Sequence, residues 1–321
     1  MPPFHPRFAL MLLLCFALKA SFAQLADTPR VFGEGVISNG DFTFNTTFTP
    51  DGRTVFFSRS TINWGYIAIF MSKQEQGVWG KAVPVAFTGT YRDTDPVVSA
   101  DGKRLYFSSD RPLSGGQYTD YNYHLFYVPL QDGEPGSAAV PVDVPLLPGM
   151  KVSYPSFTAG GDLYFTSSDT ATRDGDIYVS TFRDGVYHTP ERLPFNDPKI
   201  IDFDPVVARD GSFVIFSSIG RKGGLGSVDL WVSFHSGDTW TTPVNLGPHV
   251  NTALNEGAPG LSPDNKKLYF QANRQKTPRP VYKDGKMTAD ALDAVFHSTA
   301  NGLPHIYEID ISDLISLRQD K

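Results

Sequence analysis

The chain is nearly devoid of cysteine: Cys15 is its only one among 321 residues. That excludes a disulfide framework and thiolate metal sites, so stability has to come from buried apolar surface. Long apolar runs are also scarce. The one candidate, Phe8 to Leu18, is too short to span a bilayer. The seven histidines (His5, His124, His188, His235, His249, His297 and His305) show no His-x-x-x-His or Cys-His spacing, so no metal site is expected. Asp176 and Asp229 supply one acid per repeat, too thin a set for calcium. The glycine-rich Gly223-Gly224-Leu225-Gly226 lacks the Lys-Ser/Thr of a phosphate loop and reads as a turn. No cofactor is expected. Positive charge is in deficit, with 28 Lys and Arg against 34 Asp and Glu, a net charge of −6. That balance speaks against nucleic acid or an anionic membrane as partner.

What is present begins with an address label. Arg7 precedes the short apolar run, and Ser21-Phe22-Ala23 offers small residues where a signal peptidase inspects. Residues 1–23 are therefore expected to be a signal peptide, cleaved before Gln24. Cys15 is a poor lipid attachment point, because Leu12-Leu13-Leu14 lacks the small residues needed before it. Residues 24–321 are expected to be one soluble, monomeric domain without membrane insertion, periplasmic or secreted.

The remainder repeats itself. Asp202 to Leu246 holds four short runs rich in β-branched and aromatic residues, separated by Gly, Asp, Asn and Ser. The turn and following strand of this unit start at Asp51, Asp101, Gly160, Asp210 and Asp264. The second turn position is Gly in four copies and Asn265 in the fifth, the other residue that tolerates a left-handed backbone. A second marker, Ile or Leu before an aromatic, runs in phase: Ile69-Phe70, Leu125-Phe126, Ile177-Tyr178, Leu230-Trp231 and Ile306-Tyr307. A third, an aromatic with Pro or Ala three residues on, appears at Trp79, Tyr187 and Trp240. A lone four-stranded sheet cannot bury its two apolar faces, so five such units must stack on one another. The Phe56, Tyr106, Tyr164, Phe216 and Tyr269 ladder is the predicted core, and His124 and His305 are read as strand starts.

These units imply an all-β chain, a β-propeller of four-stranded antiparallel blades. Five blades are counted, six being the alternative. Residues 30–38 read as an isolated strand, while the last repeat lacks its outer strand after Ile309. Closing the ring with the N-terminal strand removes the exposed edge. Ser312 to Leu317 is the other source of that strand, or else a short helical turn. Two loops are unusually long. Residues 273–304 contain a predicted helix, Thr288 to Phe296, with Thr288 as N-cap candidate. The 110–123 loop ends in Tyr118, Tyr121 and Tyr123. Loops of this length are usually functional or mobile.

The units Ser99-Ala100-Asp101-Gly102-Lys103, Leu105-Tyr106-Phe107-Ser108-Ser109, Asp176-Ile177-Tyr178-Val179-Ser180 and Asn251-Thr252-Ala253-Leu254-Asn255-Glu256 resemble the WD-like propeller repeats of the TolB-like family. The resemblance covers roughly residues 40–310 and implies the propeller fold. It does not fix a function, because such propellers serve many roles.

In a propeller the loops entering the inner strands share one face with the loops joining second to third strands. The first set carries acids: Asp93 and Asp95, Asp202 and Asp204, and Glu256. The second carries Arg111, Arg173, Arg221 and Arg274. An arginine of one blade reaching an acid of the next would pin adjacent blades. Alternatively, Asp95, Arg111, Asp204, Arg221, Glu256 and Arg274 form a ligand-binding set at the channel mouth. The reading that follows is an exported, non-catalytic binding scaffold for a protein or peptide segment, or a saccharide. The alternative is a carbohydrate-active, glycoside hydrolase-like enzyme using Asp95, Asp204 and Glu256. Against it, all three precede a proline in equivalent places, whereas a catalytic pair needs dissimilar surroundings.

Overall fold

The computed structural model describes residues 25, 27–113, 116–168, 175–274, 287–299 and 301–316. The expected signal peptide, residues 1–23, and Arg173 lie outside them. The described chain forms five four-stranded antiparallel blades arranged in a ring, a five-bladed β-propeller.

Each blade runs from the channel outward. The first begins with Phe42–Phe48, Thr54–Ser60 and Ile67–Glu75; the second with Asp93–Val98, Arg104–Ser109 and His124–Gln131. The third has Ser153–Phe157, Leu163–Ser168 and Gly175–Ser180; the fourth Ile201–Val207, Phe213–Ile219 and Asp229–Ser236. The fifth has Glu256–Leu261, Lys267–Ala272 and His305–Asp310. His124 and His305 open third strands, as expected. The outer strand is short and broken in several blades, for example Val78–Trp79 and Val83–Pro84, both paired with Ile67–Glu75. Proline is tolerated there because an outward-facing edge does not use every N–H.

The repeated turns fold as their residues require. Gly52, Gly102, Gly161 and Gly211 have φ between +70° and +95°, and Asn265 has +60°. The ring closes through the N-terminus: Arg30–Val31 pairs with the fifth blade's third strand, Arg30 opposite Glu308 and Val31 opposite Tyr307. That closing strand is shorter than the 30–38 run suggested. After Phe32, which still bonds to the Ile306 carbonyl at 2.8 Å, the chain turns at Gly33 (φ +56°). A Cβ on Gly33 would lie 2.6 Å from the Ile37 side chain. Ser312–Ser316 is a helical turn instead of a strand. The predicted helix forms over Ala289–Phe296, with the Thr288 side chain accepting from the Ala291 N–H.

The core is split among the seams between blades. Phe56, Ile69 and Val85 of the first blade meet Phe107, Phe126 and Val128 of the second. Tyr164 and Ile177 of the third meet Val214, Phe216 and Trp231 of the fourth. At the closing seam, Phe32 wedges edge-on among Phe48, Trp79 and Tyr269, with centroid distances of 5.8, 5.6 and 4.9 Å. The predicted ladder is buried throughout, from fully for Phe56 and Phe216 to 9 % exposed for Tyr106. Burying an aromatic of this size is worth about 1.5–3 kcal/mol, so the seams hold the ring together.

Candidate functional site: the channel mouth

Arginine and acid do meet at the mouth, but within a blade. Arg111 Nη2 lies 2.6 Å from Asp93 Oδ1, Arg221 Nη2 2.5 Å from Asp202 Oδ2, and Arg274 Nε 3.4 Å from Glu256 Oε1. The expectation of pairs reaching from blade to blade is corrected on this point. The acid starts the inner strand and the arginine follows the second strand, which is its hydrogen-bonded neighbour. The crossing between blades is made by another arginine N–H, which donates to a carbonyl of the incoming connector: Phe87 for Arg111, Phe195 for Arg221 and Val250 for Arg274. Arg59 does the same in the first blade, donating to Val36 and Ile37 and pairing with Asp41 at 3.2 Å. Each guanidinium also lies over seam aromatics, such as Phe107 and Phe126 for Arg111 and Phe216 and Trp231 for Arg221. Burial pushes the Asp93 carboxyl up, and the Arg111 charge partly offsets it.

The channel wall has a different origin. Every inner strand carries a β-bulge, and the bulged residue takes a left-handed backbone in all five blades: Asn45, Asp95, Tyr154, Asp204 and Ala258, with φ from +47° to +54°. Bulges re-aim side chains, and here they converge on the axis. The backbone N–H groups of Asp95, Asp204 and Ala258 donate to Ser58, Thr166 and Ser217, each on the second strand of the preceding blade. That gives a role to the hydroxyl residue after the aromatic in three repeats, Ser58, Thr166 and Ser217; the fifth has Gln271 there, and the Ser108 hydroxyl of the second makes no such contact. Tyr154 departs from the pattern, donating its N–H to Asp95 Oδ2 at 3.0 Å. Its hydroxyl reaches past the fourth blade to the Pro259 carbonyl of the fifth at 2.9 Å, so the ring crosses the channel. Phe42, Phe44, Ile67 and Ala258 pack around it. Beyond it, toward the turn face, remains a cavity of about 60 Å³ lined by Pro155, Pro205, Pro259 and Asn265 among others, room for a few waters.

Asp95 and Asp204 are the two ring carboxylates; Glu256, expected in the equivalent place, instead matches Asp93 and Asp202, and Ala258 holds the bulge position of its blade. Asp95 is buried and also accepts from the Thr94 hydroxyl at 2.9 Å and Asn45 Nδ2 at 3.4 Å. Burial raises its pKa, and the Tyr154 N–H opposes the rise. Asp204 is half-buried as a residue, yet protein surrounds its carboxyl closely. Burial first, then the Asp95 charge, pushes its carboxyl well above the ordinary range, against one backbone N–H from Ala258.

The rim next to the first and second blades is aromatic. Trp64, on the loop after the first blade's second strand, packs edge-on against Phe42 and Phe44 at 4.9 and 5.3 Å. Arg92, in the connector before Asp93, ties this loop to the next. It donates to the Trp64 carbonyl, to Asp110, to Asp120 and to the Tyr118 hydroxyl, and its guanidinium lies 4.2 Å from the Tyr121 ring centre. Burial works against its charge, but Asp120 and Asp110 outweigh that and hold it above the usual range. Tyr123 stands between this cluster and the channel, close enough to Asp95 and Asp110 that their charges, after burial, raise its pKa. Its hydroxyl makes no hydrogen bond among the described residues.

All six sequence-predicted residues thus lie at the mouth. Arg111, Arg221, Arg274 and Glu256 are engaged in pairs that hold strands and connectors; Asp95 and Asp204 face the axis. Sequence reasoning missed Arg92, Trp64 and Tyr66. An aromatic pair in the turn Asn63-Trp64-Gly65-Tyr66, where a loop needs none for its own core, was the available signal. A larger cavity, about 810 Å³, opens elsewhere, at the seam of the second and third blades beside Arg104, Tyr106, Tyr127 and Tyr187. Tyr187 stands there where Trp79 and Trp240 fill the equivalent position. Among the described residues, no cluster of three or more His, Cys, Asp or Glu is arranged for a metal, and no helix is long and apolar enough to cross a membrane.

No family model and no curated protein matches the chain. Solved structures with a similar course include a putative TolB from Agrobacterium tumefaciens, at 15% identity and a TM-score of 0.46, covering 84% of this chain and 91% of that one. The catalytic domain of an α-L-arabinofuranosidase from Coprinopsis cinerea aligns at 12% identity and a TM-score of 0.48, over 84% and 97%. A gluconolactonase from Xanthomonas campestris aligns at 15% and 0.40, over 76% and 91%. At these values the likenesses carry no function across to this chain.

Proposed function

We propose that the chain is an exported, non-catalytic binding scaffold of TolB-like propeller type, holding a protein or peptide segment, or a saccharide, at the channel mouth. One observation carries this reading. Trp64, Tyr66, Tyr118 and Tyr121 are 40%, 81%, 51% and 41% exposed on one rim of the mouth. Exposed aromatics grouped beside convergent polar groups are what a binding surface requires. The ligand would lie over Asp95 and Asp204, with Arg111, Arg221, Glu256 and Arg274 framing the loops around it. Glu256 supports a framing role, since Thr252 donates to both of its oxygens at 2.8 and 2.7 Å.

The competing reading, a carbohydrate-active enzyme, draws on one specific feature: Asp204 is held protonated more readily than an ordinary carboxyl, as a general acid needs to be. Its neighbour Asp95 is enclosed by three hydrogen-bond donors, which leaves little room for a water or a sugar carbon. The test is to probe immobilised protein with arrays of peptides and oligosaccharides, and in parallel to assay oligosaccharide cleavage. Retention without turnover, weakened in Tyr118→Ala, is expected. Turnover abolished by Asp204→Asn would replace this reading with the enzymatic one.

A further inference from the structure

The rim holds more than a scatter of exposed rings. Trp64 and Tyr121 both take left-handed backbones, with φ +60° and +57°. Bulky aromatics rarely occupy that region, and where they do, the surroundings hold them there. For Trp64 the hold is a closed turn: Thr61 N–H to the Tyr66 carbonyl, Trp64 N–H to the Thr61 carbonyl, and Asn63 Oδ1 accepting from Gly65. For Tyr121 it is the Arg92 guanidinium stacked on its ring. Arg92 joins both loops, so the aromatic faces are set before any ligand arrives.

The polar groups around these faces narrow the ligand. Arg92 is neutralised by Asp110 and Asp120 together, so the cluster has one negative charge in excess. Asp120 is 61% exposed and keeps its second oxygen available, beside the Tyr118 hydroxyl. Tyr123, near Asp95 and Asp110, has a hydroxyl with no hydrogen-bond partner among the described residues. Among the described residues of this cluster no cation is left over to take a carboxylate or phosphate, and the Arg92 guanidinium already occupies the Tyr121 ring. What remains is flat apolar faces bordered by neutral hydroxyls and carboxylate acceptors. That surface complements a ring with C–H groups on its face and hydroxyls on its edge.

We infer that Trp64, Tyr118, Tyr121 and Tyr123, clamped around Arg92, form a subsite for a neutral saccharide. A pyranose face lies on Trp64, and its hydroxyls donate to Asp120 and to the Tyr118 oxygen, whose own proton is held by Asp110 and Asp120, and exchange hydrogen bonds with Tyr123. Arg92 is a positioning residue, acting through the two loops that it ties. This deepens the mouth-binding reading and rests on it.

The experiment titrates the protein with neutral xylo-, cello-, malto- and manno-oligosaccharides, followed by calorimetry and by tryptophan fluorescence. Binding to at least one series is expected, with a fluorescence change that vanishes in Trp64→Phe. Trp64→Ala and Tyr123→Phe should each weaken it about tenfold or more, and Tyr123→Phe, which removes only a hydroxyl, should leave the melting temperature nearly unchanged. Arg92→Gln should weaken it likewise, and Arg92→Lys should restore part of the loss. Binding of none of the four series overturns the inference, as does binding that Trp64→Ala leaves intact. If the same protein retains peptides at the mouth, sensitive to Tyr118→Ala, the scaffold reading survives and the saccharide falls. If neither class is retained, both fall.

Discussion

Arg221 grips Asp202 with two hydrogen bonds, Nε to Oδ1 at 3.0 Å and Nη2 to Oδ2 at 2.5 Å, while the aspartate itself has no exposed side-chain surface. A paired, buried carboxylate of this kind contributes little beyond a well-packed apolar pair, yet removing its partner costs about 3–5 kcal/mol. Arg221→Met is therefore expected to lower stability in urea titrations by about that amount. Asp202→Asn in the same chain should recover much of the loss, because the uncompensated charge is then gone. If the double variant is no better than the single one, the guanidinium contributes through packing and not through charge.

Phe216 tests the seams. It is fully buried and stacked on Phe195 at 5.0 Å, with the Arg221 guanidinium 5.4 Å away on its ring. Phe216→Ala should cost about 3–5 kcal/mol in chemical denaturation. Because it touches Arg221, the combination with Arg221→Met should be less than additive.

Phe32 tests closure. It lies 6 % exposed at the joint between the first and last blades. Phe32→Ala is expected to destabilise by about 3–5 kcal/mol. It should also raise protease sensitivity within residues 25–38 before elsewhere, as a closing strand that opens locally would. Cleavage beginning in another blade would show that the ring does not open at this joint.

Asp204 tests the channel by pH. Its folded-state pKa is raised well above that of the unfolded chain, so the folded form binds its proton more tightly. At pH below the ordinary carboxylate range the group is protonated in both states and has no effect. As pH rises from about 3.9 through the folded pKa, the unfolded chain releases its proton first and stability falls. Asp204→Asn removes that loss. Its melting temperature is expected to exceed the parent's at neutral pH, with the difference closing toward pH 4. An equal difference at every pH would show that the carboxyl's ionisation is not what destabilises the channel.

Much of the fold was readable from residues because the repeat enforces it. Five copies of a turn with Gly or Asn at one position define the blades, and a last repeat without its edge points to the N-terminus for closure. The closing strand is shorter than its residues suggest because Gly33 and Gly35 take left-handed backbones, and at Gly33 Ile37 packs where a side chain would stand. The acid–arginine pairs were placed between blades because sequence gives their face and not their distance; adjacent strands bring them closer than adjacent blades. The bulges left a partial trace. Asp and Asn tolerate the left-handed region, but Tyr154 and Ala258 do not announce it. Trp64 and Arg92 were missed because loops have no period against which an odd residue stands out.

The Tyr154 ring, laid across to the Pro259 carbonyl, stands in the channel between the mouth and the turn face. On the reading proposed above, a ligand entering at the mouth would meet that ring before it reached the turn face. A smaller residue there, Ala or Gly, would take away the side chain that ties the third blade to the fifth across the axis.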